Sequence, residues 1–362
     1  MRAVVLVGGA GTRLRPLTLT VPKQVLPIVE VPMIERVLAY LEPHGVEEAV
    51  LSLGYLHDAF VALFPDGRAG RVRLTYAVEP EPLDTAGAIG FAARAAGIDE
   101  RFLVVNGDIL TDLDVSDMVD FHARRRAEAT ISLAKVADPS AFGLVPIDGE
   151  GKVVAFVEKP APGAVGSSLV NAGTYVLEPS VLDRIPEGRR SSIEREVFPA
   201  LAAAGSLYGY DSSDYWTDTG TPRQYLEAQL DLVYGRRPGP PAPAATAGPH
   251  GVWALGGAHV GDDIEGPAVI GAGASVAAGA CVQGSVIGAR SHVAAGARVL
   301  DSVLLPDAVV GEGAVVNRSI LGRGVRVGDG AEVSGLSVLG DGYHVAPATR
   351  LDGARLPGPA GP

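Results

Sequence analysis

Apolar and polar positions change rhythm near residue 235. Before it, short aliphatic runs alternate with stretches of helical period. Residues 4–7 form one such run and predict a strand. Ile34, Val37, Leu38 and Leu41 share a helical face, and Pro43 and Gly45 follow as stop signals. Further strands are predicted over 49–53, 72–78, 102–105, 130–136, 153–157 and 170–177. Helices are predicted over 86–96, 115–125 and 193–203, the first led by Asp84 and Thr85, both capping residue types. Such alternation predicts an α/β domain over 1–234, with a mixed, mostly parallel sheet flanked by helices. Ligands of such sheets sit at the carboxyl ends of strands.

Residues 235–251 are rich in Pro, Gly and Ala without apolar periodicity, and read as a linker. Beyond them the rhythm is a repeat. Ile270, Ile287, Leu304, Leu321 and Val338 are 17 residues apart. Val276, Val293, Val310 and Val327 keep that spacing, as do Val282, Val299, Val316 and Val333. Fixed-period self-similarity marks a solenoid. Three short strands per coil, each with an inward aliphatic, predict a triangular prism over 252–356, with a tail at 357–362. This resembles the left-handed parallel β-helix of hexapeptide-repeat proteins.

Composition narrows the function. The 362 residues are 47% hydrophobic, enough for two cored domains. A net charge of −12 argues against wholesale nucleic-acid binding but leaves room for a phosphorylated metabolite. One cysteine, Cys281, forms no intrachain disulfide and suits a reducing compartment. No apolar run approaches ~20 residues, and the first one is too short for a secretory signal. The expectation is a cytoplasmic protein without membrane contact. The seven histidines show no metal-ligand spacing.

Chemistry concentrates in LVGGAGTRLRPLT, residues 6–18. Gly8, Gly9 and Gly11 allow backbone N–H groups to approach an anion, because no Cβ intervenes. The dinucleotide fingerprint fails, since Leu14 stands at its third glycine, and no Gly-Lys-Ser/Thr completes a Walker loop. Arg13 and Lys23 add a fork and a point charge suited to phosphate. Solvated surface charges are the plainer alternative. Asp108 ends an apolar run in VVNGDIL, and Asp218 lies in YWTDTGTP; either could be a turn aspartate.

GGAGTRL with Pro22-Lys23 resembles the signature of the sugar-phosphate nucleotidyltransferases. EPLDTAGAI, VVNGDIL, FVEKP, VNAGTYVL, SIEREVFP and YWTDTGTP extend the likeness along the N-terminal half. The last four, with the β-helix, are most similar to the guanylyltransferases acting on mannose 1-phosphate. The resemblance implies a Rossmann-like catalytic domain, a nucleoside triphosphate (GTP first) and a sugar 1-phosphate as substrates, and Mg2+ on Asp108 and Asp218. It implies catalysis by Arg13, Lys23, Asp108 and Asp218. The nucleotide would meet Leu6, Gly8, Gly9, Gly11, Thr12, Arg13, Glu79, Asp84, Thr85 and Gly107. The sugar phosphate would meet Gly143, Glu158, Lys159 and Asn171. A sugar phosphate is already a nucleophile, so catalysis reduces to positioning and electrostatics.

Two positions depart from the pattern. Gln24 after Lys23 resembles thymidylyltransferases equally well. Asp84 stands where relatives carry glycine, and either caps the next helix or adds an acceptor at the base. Glu79 follows the strand ending at Val78 and is the residue expected to read the base, since a carboxylate accepts from adjacent donors such as guanine N1–H and N2. The alternatives are a thymidylyl-, adenylyl- or uridylyltransferase, a non-catalytic regulatory subunit, and an acyltransferase using His259, His292 or His344. The β-helix is expected to serve oligomer contacts or regulation, with Leu305, Val309 and Val315 as possible partner-facing residues.

Overall fold

The computed structural model describes residues 1–54, 56–158, 168–261 and 264–357. It divides into two compact units. The first joins Met1–Gly9 to Ile34–Thr217; the second joins Ala10–Met33 to the chain from Asp218 onward.

The first unit holds a mixed sheet with ten strands among the described residues. Four central strands, Phe102–Asn106, Arg2–Leu6, Glu48–Leu53 and Val72–Val78, run parallel in that order. Their aliphatic runs are nearly continuous because both faces are covered. The helix Asp84–Ala95 packs against three of them, and its buried Ala86, Gly87, Ala88, Gly90, Ala92 and Ala93 allow close approach. Antiparallel strands extend the sheet: Leu169–Leu177 beside Phe102–Asn106, then Gly143–Leu144 and Val157–Glu158. The core gathers Val4, Val50, Val104, Ile89, Tyr175 and Phe198. The helix Val115–Arg125 starts where the Asp114 side chain accepts from Asp117 N–H and stops at left-handed Arg126. The predicted strand 153–157 is mostly absent. Val153 is buried in the core and forms a single bridge with Ile147, and Phe156 packs against that core, but Val154 between them is 62% exposed, so the run is irregular backbone touching the core at intervals rather than a paired strand.

In the second unit, stacked parallel strands form a three-sheeted β-helix. Ile270, Ile287, Leu304 and Leu321 lie in register, and the valines of the other two faces do likewise. These side chains fill the coil interior. The first coil is one residue short, Ala254 pairing with Ile270 and Val260 with Val276. Beyond Ile270 the 17-residue period breaks once, where Val338 pairs with Ile320, and Leu339 rather than Val338 continues the inward ladder of Leu321. The cause is a corner. Earlier coils turn on one left-handed residue, Gly284, Asp301 or Arg318, whereas this coil turns on two, Gly335 and Leu336. Buried serines line that corner, the Ser285 and Ser302 hydroxyls each accepting the N–H of the serine one coil on.

The helix Pro222–Val233, capped by Thr221, packs on the strand Ser285–Ile287. Val286 points away from the coil interior, yet is 2% exposed. Among the described residues, no helix is long and apolar enough to cross a membrane.

Candidate active site

In the first unit, Gly8, Gly9, Glu79, Gly107 and Asp108 follow the carboxyl ends of three of the four parallel strands. Gly8 and Gly9 come just after Leu6 and are exposed. Gly107 and Asp108 follow Asn106, with Gly107 N–H donating to Leu6 C=O at 3.0 Å. On the other side, Val7 N–H donates to Ser52 C=O at 3.1 Å. Glu79 follows Val78, its N–H on Leu53 C=O at 2.8 Å. A Cβ on Gly8 would stand 3.1 Å from Glu79 Oε1, so the bare backbone leaves room for that carboxylate.

Glu79 does more than face outward. Its Oε1 accepts from Ser52 Oγ at 3.1 Å and its Oε2 from Leu83 N–H at 3.0 Å. A carboxylate offers about four acceptor directions, so roughly half remain for a ligand. Asp84 does not cap the helix it begins. A capping residue needs extended backbone, whereas Asp84 has φ 60 and no side-chain cap closes this helix. That left-handed backbone suits glycine, and aspartate tolerates it. Its Oδ2 instead meets Arg195 at 2.6 Å and Arg190 at 3.6 Å. Thr85 Oγ1 donates to Glu194 at 2.6 Å and accepts from Ile193 N–H at 2.9 Å. Glu194 and Arg195 thus support the turn that carries Asp84 and Thr85, a pairing that sequence reasoning missed. Their motif, SIEREVFP, was visible, but its partner lies more than a hundred residues away.

The sugar-phosphate candidates share adjacent strands. Gly143 lies opposite Glu158, and Leu144 opposite Val170, which brings Gly143 beside Asn171. Asn171 begins a β-bulge in which Gly173 has φ 77, a device that re-aims side chains. The Asn171 Oδ1 accepts from Gly173 N–H at 2.9 Å, and its Nδ2 donates to Tyr175 Oη at 2.9 Å. Trp216, to which the sequence assigned nothing, donates to Ala172 C=O at 2.8 Å and packs edge-on against Phe142. Lys159 lies outside the described residues, and only the strand position of Glu158 is described.

Gly11, Thr12, Arg13, Lys23 and Asp218 belong to the second unit. Gly11, at φ 59, opens the turn Thr12–Leu14, and its C=O accepts from Thr18 Oγ1 at 2.7 Å. A Cβ there would meet Lys23 Cβ and Thr18 Cγ2 at 3.2 Å, so the two turns carrying Arg13 and Lys23 are pressed together. A Cβ on Gly220 would stand 2.5 Å from an Arg13 guanidinium nitrogen and 2.9 Å from Asp218 Oδ1. Arg13 and Asp218 therefore crowd one glycine, whose N–H donates to Asp218 Oδ1 at 2.6 Å. Gln24 is turned inward, 1% exposed. His259, His292 and His344 lie on one exposed sheet of the β-helix, with His292 Nδ1 2.8 Å from Ser275 Oγ. Leu305 is 2% exposed, buried within its own chain and closed to a partner.

Against known families, a model described as Nucleotidyl transferase matches residues 2–234. The chain belongs to the nucleotidyl transferase family. A model described as GMPPB C-terminal domain matches residues 264–357 of this nucleotidyl transferase. A mannose-1-phosphate guanylyltransferase of Mycobacterium tuberculosis is 45% identical over 240 residues, 66% of each chain. Mannose-1-phosphate guanylyltransferase 1 of Arabidopsis thaliana is 40% identical over 254 residues, 69% of each chain. The match thus takes in about two thirds of these relatives' length. Among solved structures, HddC from Yersinia pseudotuberculosis complexed with GMP-PN is similar at a TM-score of 0.55 and 29% identity, covering 63% of this chain and 97% of that one.

Proposed function

We propose that this chain transfers a nucleoside monophosphate from a triphosphate, GTP first, to a sugar 1-phosphate, mannose 1-phosphate first, releasing pyrophosphate. One observation carries the reading. Gly8, Gly9, Glu79, Gly107 and Asp108 follow the carboxyl ends of three of the four parallel strands, and Gly143 and Asn171 occupy the antiparallel strands of the same sheet. A nucleotide site and a sugar site thus share one platform. The relatives' names support guanine and mannose.

A sugar phosphate oxygen bonds to the α-phosphorus as the bond from that phosphorus to the bridging β-phosphate oxygen breaks. No general base is needed. Arg13 and Lys23 offset the charge of the two anions, and the bare backbone at Gly8 and Gly9 supplies N–H donors. Glu79 accepts from the base with the directions that Ser52 and Leu83 leave open. Asn171, Gly143, Glu158 and Lys159 hold the sugar phosphate.

Mg2+ fits the donors present. Asp108 and Asp218 offer hard carboxylate oxygens, and Mg2+ commonly takes one or two of these besides substrate phosphates. Among the described residues no group of three or more His, Cys, Asp or Glu is gathered for a metal, so such a site would need the substrate to complete it. Bound there, the ion would neutralise triphosphate charge. We place the enzyme in the cytoplasm, which a single cysteine suits, and assign the β-helix to self-association.

Pyrophosphate release from GTP and mannose 1-phosphate, with and without Mg2+, tests the reading. Mg2+-dependent release is expected. A chain that binds both substrates without release is a regulatory subunit instead.

A further inference from the structure

The hairpin after the Lys23 turn is docked by its tip on the β-helix. Strands Pro27–Ile28 and Val31–Pro32 pair antiparallel, leaving Val29 and Glu30 as a two-residue turn with φ 45 and 67. Such turns favour Asn-Gly, and a valine with positive φ is an outlier held by its surroundings. Those surroundings lie within the second unit. Val29 N–H donates to Gln229 Oε1 at 3.1 Å, and Tyr225 Oη donates to Pro27 C=O at 2.5 Å. Glu30 Oε1 accepts the N–H of Ala289, at a corner of the β-helix, at 3.0 Å. The equivalent corner one coil on is Pro306, with no N–H to satisfy; the next is Arg323, whose N–H goes to Asp341 Oδ1 at 2.8 Å. Glu30 thus supplies, from the N-terminal segment, the carboxylate that the solenoid supplies itself two coils later. Burial raises the pKa of Glu30, opposed by the Ala289 bond and by Arg290 and Arg323.

We infer that Glu30 is a positioning residue: through Ala289 it fixes the hairpin, and with it the Lys23 turn, to the β-helix. The link is continuous. Met33 N–H donates to Leu26 C=O and Leu26 N–H to Lys23 C=O, each at 3.1 Å, and Gly11 packs closely on Lys23, where a Cβ would stand 3.2 Å from Lys23 Cβ. The solenoid is then part of the apparatus that places a phosphate-binding cation. This rests on the reading of Lys23 as that cation.

The test attacks the bond from both sides. Glu30→Ala removes the acceptor. Ala289→Pro removes the donor and suits the corner, because Pro306 occupies the same position one coil on. Each variant should speed amide exchange at Val25, Leu26 and Met33 by ~10-fold or more, and lower kcat ~10-fold or more with the KM for sugar phosphate within about twofold, since small misplacements cost that much. Glu30→Gln, which keeps an acceptor oxygen, should restore both. The double variant should be no worse than either single one. Unchanged exchange at those amides in folded Ala289→Pro, additive losses in the double variant, or no rescue by Glu30→Gln would overturn the inference. The exchange readings decide the coupling even if wild-type chain releases no pyrophosphate, a result that would sink only the proposed reaction.

Discussion

Replacing Glu79 by glutamine removes a charge with almost no change of shape. The loop should survive it. The glutamine carbonyl can accept from Leu83 N–H in place of Oε2, and its amide can donate to Ser52 Oγ, which also lies 3.4 Å from Ala88 C=O. Stability should change by less than about 1 kcal/mol, as when no buried group loses its partner. The cost falls on the base. Hydrogen bonds to charged groups are worth about 1.5–3 kcal/mol and neutral ones about 0.5–1.5, so one pair loses roughly 1 kcal/mol. The amide hydrogens now also confront a guanine donor, leaving a polar group unpaired at a further cost of about 1–2 kcal/mol. The sum, about 2–3 kcal/mol, is roughly 30-fold to 150-fold in kcat/KM for GTP. Thymine and uracil present a donor beside carbonyls, which an amide matches, so dTTP and UTP should not suffer. Pyrophosphate release with saturating sugar phosphate gives kcat/KM for each triphosphate. An unchanged ratio of GTP to dTTP in the variant, or a wild-type chain that uses dTTP or UTP as well as GTP, would refute the reasoning.

Other expectations follow from single contacts. Gly220→Ala places a methyl against the Arg13 guanidinium and the Asp218 carboxylate; turnover should fall ~10-fold or more while thermal stability holds, and normal kcat would show that neither group is held in place there. Asp84→Gly suits the left-handed backbone and loses pairs with largely exposed arginines and one hydrogen bond from the Thr85 N–H, so urea unfolding should shift by less than about 1 kcal/mol; a larger loss would make those Asp84 contacts structural. The ring of His122, buried beside Thr130 and Glu178, has its pKa lowered by burial, partly opposed by the Glu178 hydrogen bond. The folded chain then binds fewer protons than the unfolded one below the ordinary histidine value of 6.5. This stability is complete above that pH and is lost as pH falls through the lowered folded pKa. Melting curves from pH 7.5 to 5 should show wild type falling more steeply than His122→Gln; parallel curves would contradict this.

Much of the fold could be read because its signals are local. The helix 115–125 carries its own stop and start residues, and the solenoid repeats each register. The slip at Gly335-Leu336 escaped notice because Val338 and Leu339 are both apolar, and periodicity cannot choose between neighbours. The strand expected at 153–157 failed because an apolar run does not say which of its members reach the core: Val153 and Phe156 do, and Val154 between them is exposed. At the site, the glycine loop and NGD were legible as short motifs. The role of Glu79 in tying Leu83, the pairing of Asp84 with Arg195, and the docking of Glu30 on Ala289 were not. Each joins a polar group to a partner placed by folding, and in sequence such a group reads as a solvated charge.

The central claim is the reaction itself. Four nucleoside triphosphates crossed with the 1-phosphates of mannose, glucose, galactose and glucosamine, with pyrophosphate release measured in Mg2+, test it most directly. The account predicts that GTP with mannose 1-phosphate gives the highest kcat/KM, with GTP preferred by ~10²-fold, the scale expected when a wrong base leaves buried polar groups unpaired. Release that is equal or faster with another triphosphate, or absent from every pair, would contradict it.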